Sequence, residues 1–184
     1  MTAQGFALFN STIGTCGIAW GPRGIAGLQL PESTAEATRT RLRRRWPEAV
    51  ESPPPPGVGR VLERVLGLLK GAAVDLADIP LDLDTAPEFH RKVYEVARTI
   101  PPGRTMTYGE IAKILGVPNE SREVGQALGR NPIAIIVPCH RVLGADGKMG
   151  GFSANGGVST KRRMLEIEGA PAVGAGPLFA QQQQ

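Results

Sequence analysis

The chain has 184 residues, 41% of them hydrophobic, with a formal net charge of +4, two cysteines and two histidines. That is enough to bury a core, as one large domain or two small ones. No apolar run approaches the roughly 20 residues a membrane helix needs, Met1–Asn10 lacks the basic start and long apolar stretch of an export signal, and two cysteines are too few for a disulfide framework, so a reduced, cytoplasmic setting without a structural metal is expected.

The chain opens with FALFNSTIGTCGIAWGPRGIAGLQLP, short apolar runs broken by Gly, Asn and Pro, which reads as two or three strands joined by tight turns. STAEATRTRLRRRWPE predicts a helix capped by Ser33 or Thr34 and stopped at Pro47. Its cluster of Arg41, Arg43, Arg44 and Arg45 is of the kind that touches phosphate, but Glu32, Glu36 and Glu48 close by favour a solvated helix face. SPPPPG at 52–57 fixes φ and removes backbone donors, so it reads as a stiff connector. Val58, Val61, Leu62, Val65, Leu66 and Leu69 then fall at helical spacing, and IPLDLD at 79–84 reads as one more edge strand. Strands followed by helices predict an α/β N-terminal domain over residues 1–85.

From TAPEFHRKVYEVARTI onward the texture changes. Pro87 suits a first helical turn, and Phe89, Val93, Val96, Ala97 and Ile100 make one apolar stripe that PPG stops. TMTYGEIAKILGV predicts a short helix capped by Thr107, with Glu110 at capping-box spacing, and SREVGQALGRNP a second. Two short helices with a tight connector form a helix-turn-helix arrangement, whose second helix usually meets DNA. The charge agrees in sign: residues 1–85 hold nine Lys/Arg and nine Asp/Glu, residues 86–184 twelve and eight. Neither observation is specific, since many such helix pairs and small surpluses occur in proteins that bind no nucleic acid.

The chemistry concentrates in NPIAIIVPCHRV. Ile133, Ile135, Ile136 and Val137 predict a buried strand or extended segment ended by Pro138, which leaves Cys139 where the chain must turn. A cysteine by itself is usually a small buried hydrophobe, and Cys16 keeps that reading. Cys139 differs, because His140 and Arg141 beside it are groups that stabilise a thiolate, the reactive form. Adjacent side chains diverge in an extended chain, so His140 is expected to act through a water or at a turn. His90 lies on a helix and reads as a surface residue. The glycine-rich GADGKMGGFSANGG at 144–157 can approach a ligand closely but lacks the Lys-Ser/Thr ending of a phosphate loop, so nucleotide hydrolysis is not expected.

Taken together, RTMTYGEIA, SREVGQALGRNP, IIVPCHRV and KRRMLEIEGA resemble the O6-alkylguanine-DNA alkyltransferases, closely over residues 86–170 and much more loosely before them. The resemblance implies a ribonuclease H-like small sheet domain (1–85), a helix-turn-helix, winged-helix-like alkyltransferase domain (86–172) and, from the low-complexity ending, a disordered tail (173–184). It implies that Cys139 takes the alkyl group from O6 of guanine in double-stranded DNA and is not regenerated. His140 would relay a proton through water, Glu168 would orient it and Asn131 would brace the turn. Tyr108 would hydrogen-bond the flipped base, Arg122 would fill the gap it leaves, and Ser153 would contact O6. Arg141 and Val142 are also expected among the substrate- and DNA-binding residues. No cofactor or metal is implied, the alkyl donor being the lesion, and the partner is DNA carrying O6-alkylguanine, met by a monomer. Phe152 stands where many relatives have tyrosine, and the loop after it is longer, which leaves the alkyl size range open. Three rivals are a lesion binder without transfer, which Cys139 argues against, a cysteine hydrolase, and a transcriptional regulator.

Overall fold

The computed structural model describes residues 3–171; the tail expected at 173–184 lies outside them. Strands β1 (Gly5–Ser11), β2 (Gly14–Gly21) and β3 (Gly24–Gln29) form an antiparallel meander, and a short β4 (Val50–Glu51) adds in parallel to β1, giving the order β3-β2-β1-β4. One sheet face is covered by helix α1 (Ala35–Arg45), capped by Thr34, whose hydroxyl accepts the Ala37 N–H at 3.1 Å. Glycine is needed beneath this helix: a Cβ on Gly17 or Gly27 would overlap Leu42 or Trp46, the two side chains that α1 and its cap lay on the sheet.

Helix α2 (Pro56–Leu69) begins inside the proline run, so the stiff connector is shorter than the composition suggests. Pro56 fits there because the first helical N–H has no intrahelical acceptor to lose. IPLDLD is not a strand. Pro80 has no N–H, and the segment touches β3 only around Ile25, whose N–H donates to Pro80 O (3.0 Å) and whose carbonyl accepts Asp82 N–H (2.8 Å).

Four further helices follow: α3 (Glu88–Arg98), α4 (Tyr108–Ile114), α5 (Ser121–Gly129) and α6 (Gly157–Ile167). Pro87 sits just outside α3 as its N-cap. The capping box at α4 forms, with Thr107 Oγ1 accepting Glu110 N–H (3.1 Å) and the Glu110 carboxylate accepting Thr107 N–H (2.6 Å). Tyr94 of α3, fully buried, donates its hydroxyl to Ala127 O of α5 at 2.8 Å. The larger apolar core runs without a break from Ala7 and Ile18 on the inner sheet face through Val65, Val93 and Val124 to Met164. Among the described residues the architecture is thus mixed α/β, a small sheet with six α-helices. Among the described residues no helix is long and apolar enough to cross a membrane.

Residues 133–137 are buried as expected but do not form a strand. Ile133 bridges Leu28, then the chain folds on itself, with Val137 N–H donating to Ile133 O at 2.9 Å and Ile135 at φ +71°. That is the left-handed region, unfavourable for a β-branched residue, and the turn needs support from outside. Beyond it, β6 (Val142–Leu143) pairs in parallel with β5 (Met106–Thr107). This pairing sets the start of α4 beside the segment that contains Cys139.

Candidate active site

Cys139–Arg141 form one turn of 3-10 helix. With about three residues per turn, consecutive side chains leave in different directions. Cys139, partly exposed, faces a cavity, while His140 and Arg141 point inward and are buried. The His140 Nε2 lies 2.7 Å from Glu168 Oε1. Arg141 closes on the same carboxylate, Nε to Oε2 and Nη2 to Oε1 both at 2.9 Å, and donates Nη1 to Ile100 O at 2.6 Å. Glu168 caps the end of α6 with its side chain only 3% exposed.

Burial alone would raise the Glu168 pKa, but its bonds to His140 and Arg141 outweigh that and hold the carboxyl down to about 2. Burial pushes the His140 pKa below its ordinary value despite the opposing pull of Glu168, so the ring rests neutral. Its other nitrogen, Nδ1, is buried and bonds no described protein group.

Asn131 supplies the support the turn needs. Its Nδ2 donates to Val137 O and its Oδ1 accepts Ile133 N–H, both at 2.9 Å. The Cys139 thiol is pushed up by burial, against the pull of the Asn131 side chain, the Lys161 ammonium and nearby backbone. Lys161, not Arg141, is the cation that bears on the sulfur. It is fully buried on α6, donates to Val142 O (2.6 Å) and Met149 O (2.7 Å), and lies 5.8 Å from the Tyr108 ring centroid. Burial lowers its pKa to about 8. Sequence reasoning missed this residue, although the signal was present: Lys161 occupies a core position at i, i+3, i+4 spacing with Met164 and Leu165.

A cavity of about 820 Å³ opens between α4, α5 and the glycine-rich loop, with Tyr108, Arg122, Gly125, Phe152 and Ser153 on its walls. Tyr108 is half-buried, its phenol pKa raised by burial and then by Cys139. Gly150, at φ +63°, brings the loop against it; a Cβ there would sit 3.2 Å from the Tyr108 oxygen. Arg122 is exposed at the start of α5 and forms no ion pair among the described residues, while Ser153, also exposed, donates to Gly129 O at 3.3 Å. A smaller cavity of about 250 Å³ contains Cys139 and Asn131 and shares Gly129, Phe152 and Ser153 with the first.

The structure therefore gathers Cys139, His140, Glu168 and Asn131 at one turn, with Tyr108, Arg122 and Ser153 in the adjoining cavity. It does not put Arg141 or Val142 on a DNA-facing surface. Three nitrogens of the Arg141 guanidinium are engaged inside the protein, and Val142 is fully buried with its carbonyl taken by Lys161. His90 packs edge-on against Tyr94, 6.2 Å between ring centroids. Cys16 is fully buried, with its thiol pKa pushed up to about 11 by burial, as befits an inert core cysteine. Chemically, a thiol at a cavity floor beside a neutral, carboxylate-held imidazole suits nucleophilic displacement.

A family profile described as "6-O-methylguanine DNA methyltransferase, DNA binding domain" matches residues 88–170. The chain is 37% identical over 163 residues to a methylated-DNA–protein-cysteine methyltransferase of Mycobacterium bovis, covering 89% of this chain and 91% of that one. A protein of the same name from Methanothermobacter thermautotrophicus is 34% identical, with 86% and 81% covered. Among solved structures, that of Mycobacterium tuberculosis OGT in complex with DNA superposes with a TM-score of 0.73 at 36% identity, covering 91% of this chain and 95% of the other.

Proposed function

The chain belongs to the methylated-DNA–protein-cysteine methyltransferase family, and on that premise we propose that Cys139 is its alkyl acceptor and that the residues gathered around it carry the transfer. The protein is an enzyme of DNA repair, acting on DNA that contains O6-alkylguanine by direct, stoichiometric transfer of the alkyl group to a cysteine. The observation that carries the assignment is a thiol at the floor of a cavity, one residue from an imidazole whose far nitrogen is held 2.7 Å from a buried carboxylate.

In this reading the damaged base leaves the stack and enters the cavity beside Tyr108. Unstacking costs a few kcal/mol, and the flat guanidinium of Arg122, free at the start of α5, takes the vacated place in the duplex. The Cys139 proton passes through a water to Nδ1 of His140, the nitrogen that Glu168 leaves available, and Glu168 stabilises the imidazolium. The sulfur then bonds to the alkyl carbon as the carbon–O6 bond breaks, and the electron pair leaves on O6, where the Tyr108 hydroxyl or Ser153 donates. The product is a thioether with no leaving group good enough to reverse the step, hence one turnover per chain. Arg141 serves by holding Glu168 and the end of α3's following turn at Ile100, and the Val142 carbonyl by anchoring Lys161.

The same reading includes a ribonuclease H-like character for the β3-β2-β1-β4 sheet with its helices, within residues 1–85, and a winged-helix-like helix-turn-helix for α4 and α5 within 86–172. The protein acts as a monomer, in the cytoplasm where such DNA is reached, and needs no cofactor because the lesion supplies the alkyl group. The test is an intact-mass spectrum after incubation with duplex DNA carrying O6-methylguanine. One methyl gained per chain on the wild type and none on Cys139→Ala is the expected result. Tight binding without mass gain would make the protein a lesion sensor.

A further inference from the structure

The smaller cavity is built differently from the larger one. Beside Cys139 and Asn131 it is walled by three arginines: Arg41 and Arg45 from α1, and Arg130 from the end of α5. Arg41 and Arg45 are four residues apart and so share one helix face, exposed at the rim of this cavity. Arg41 is paired with Glu32 at 3.1 Å. Neither Arg45 nor Arg130 forms an ion pair among the described residues, and Glu32 is the only carboxylate bonded to the wall. Arg45 lies over the Trp46 ring at 5.2 Å, and burial followed by the like charge of Arg41 lowers its pKa. Two exposed cationic groups without counter-charge among the described residues thus line the same cavity as Cys139.

A methyl group has no use for such a wall. We propose that Arg41, Arg45 and Arg130 form a specificity subsite for O6-alkyl groups that end in a carboxylate, so that the chain accepts O6-carboxymethylguanine in preference to neutral adducts of the same size. This rests on Cys139 being the acceptor. In the transfer, the sulfur bonds to the methylene carbon as the bond from that carbon to O6 breaks. The electron pair leaves with O6, the thiol proton returns to the base, and the carboxylate stays on the new thioether. The carboxylate lies one bond from the carbon under attack, so it repels an approaching thiolate; cations beside the carboxylate offset that repulsion. Two of the three arginines, Arg41 and Arg45, come from the N-terminal half, which gives that half a direct part in substrate choice.

The same cations could serve a backbone phosphate, the other anion that DNA supplies, and the experiment separates the two. Single-turnover transfer is measured from duplexes bearing O6-methyl-, O6-carboxymethyl- and O6-carbamoylmethylguanine, the last a neutral isostere, together with affinity for undamaged duplex. The wild type is compared with Arg45→Gln and with Arg41→Gln/Arg45→Gln, and Arg45→Lys tests rescue by charge. The expected result is a fall of about tenfold or more in the carboxymethyl-to-carbamoylmethyl rate ratio in both Gln variants, partly restored by Lys. An unchanged ratio overturns the proposal. Equal losses on all three lesions and on undamaged duplex overturn it too, and assign the arginines to phosphate. Absence of methyl transfer by the wild type would instead remove the acceptor assignment, and this inference with it.

Discussion

Glu168 holds His140 and Arg141 at once: its Oε1 lies 2.7 Å from His140 Nε2 and 2.9 Å from Arg141 Nη2, with all three side chains buried. The carboxyl pKa falls from 4.5 to about 2 in the fold, because the two partners outweigh burial. A depressed acid pKa stabilises the fold fully above the unfolded value and loses that contribution as pH falls through the folded one. Glu168→Gln should therefore lower stability by about 3 kcal/mol at neutral pH, where a buried guanidinium loses its partner. Urea unfolding at several pH values checks this, and the gap between the two proteins should close as pH falls from about 4.5 to about 2.

Cys139 should be a poor nucleophile toward simple reagents and a good one only toward its substrate. Burial raises its pKa, so the thiolate is scarce at neutral pH and increases as pH rises. Iodoacetamide labelling followed by peptide mass should show Cys139 reacting slowly at pH 7 and faster with rising pH. Cys16, at about 11 and fully buried, should stay unlabelled over the same range while the protein remains folded.

Lys161 ties two carbonyls, Val142 O and Met149 O, across the turn and the glycine-rich loop. Its pKa falls from 10.5 to about 8, so between those values the folded state binds fewer protons than the unfolded chain. Stability attributable to this residue should rise with pH across that window. Lys161→Met should lack the slope, which parallel melts at pH 8 and 10 would read. The same substitution should slow alkyl transfer, because the loop that closes on Tyr108 loses its anchor.

Arg122 is exposed and unpaired among the described residues, so its removal should leave the fold intact. Arg122→Ala should slow transfer from duplex DNA by about tenfold or more, the cost of leaving the vacated position empty. With a single-stranded oligonucleotide the loss should be small. Equal losses on both would place Arg122 elsewhere in the reaction.

Asn131→Ala removes both hydrogen bonds that hold the turn around Ile135 at φ +71°. A stability loss of about 2 kcal/mol is expected, from two bonds of about 1 kcal/mol each. Transfer should slow further than stability alone explains, since the sulfur is no longer held; single-turnover rates measured well below the melting temperature separate the two effects.

Helical spacing and capping determined much of this protein in the sequence itself. The Thr107–Glu110 capping box, the stripes on α2 and α3, the short pair α4 and α5, and Cys139 at a turn after Pro138 are all local patterns, and each formed where its residues put it. Short-range sterics and hydrogen bonds act over about four residues, so they can be read four residues at a time. The tertiary structure alone decided what depends on partners far along the chain. Ile133–Val137 has the composition of a strand, but it meets β3 only around Leu28 and then folds on itself around Asn131. Arg141 carries the charge of a DNA contact and Lys161 that of a surface residue, yet Glu168 and a set of carbonyls compensate them inside the protein. Arg41 and Arg45 read as a solvated face and are exposed as that implies, while the packing of α1 on the sheet sets that face at the rim of the cavity that holds Cys139. Where a charged side chain goes is settled by the partner that meets it, and packing determines which partner that is.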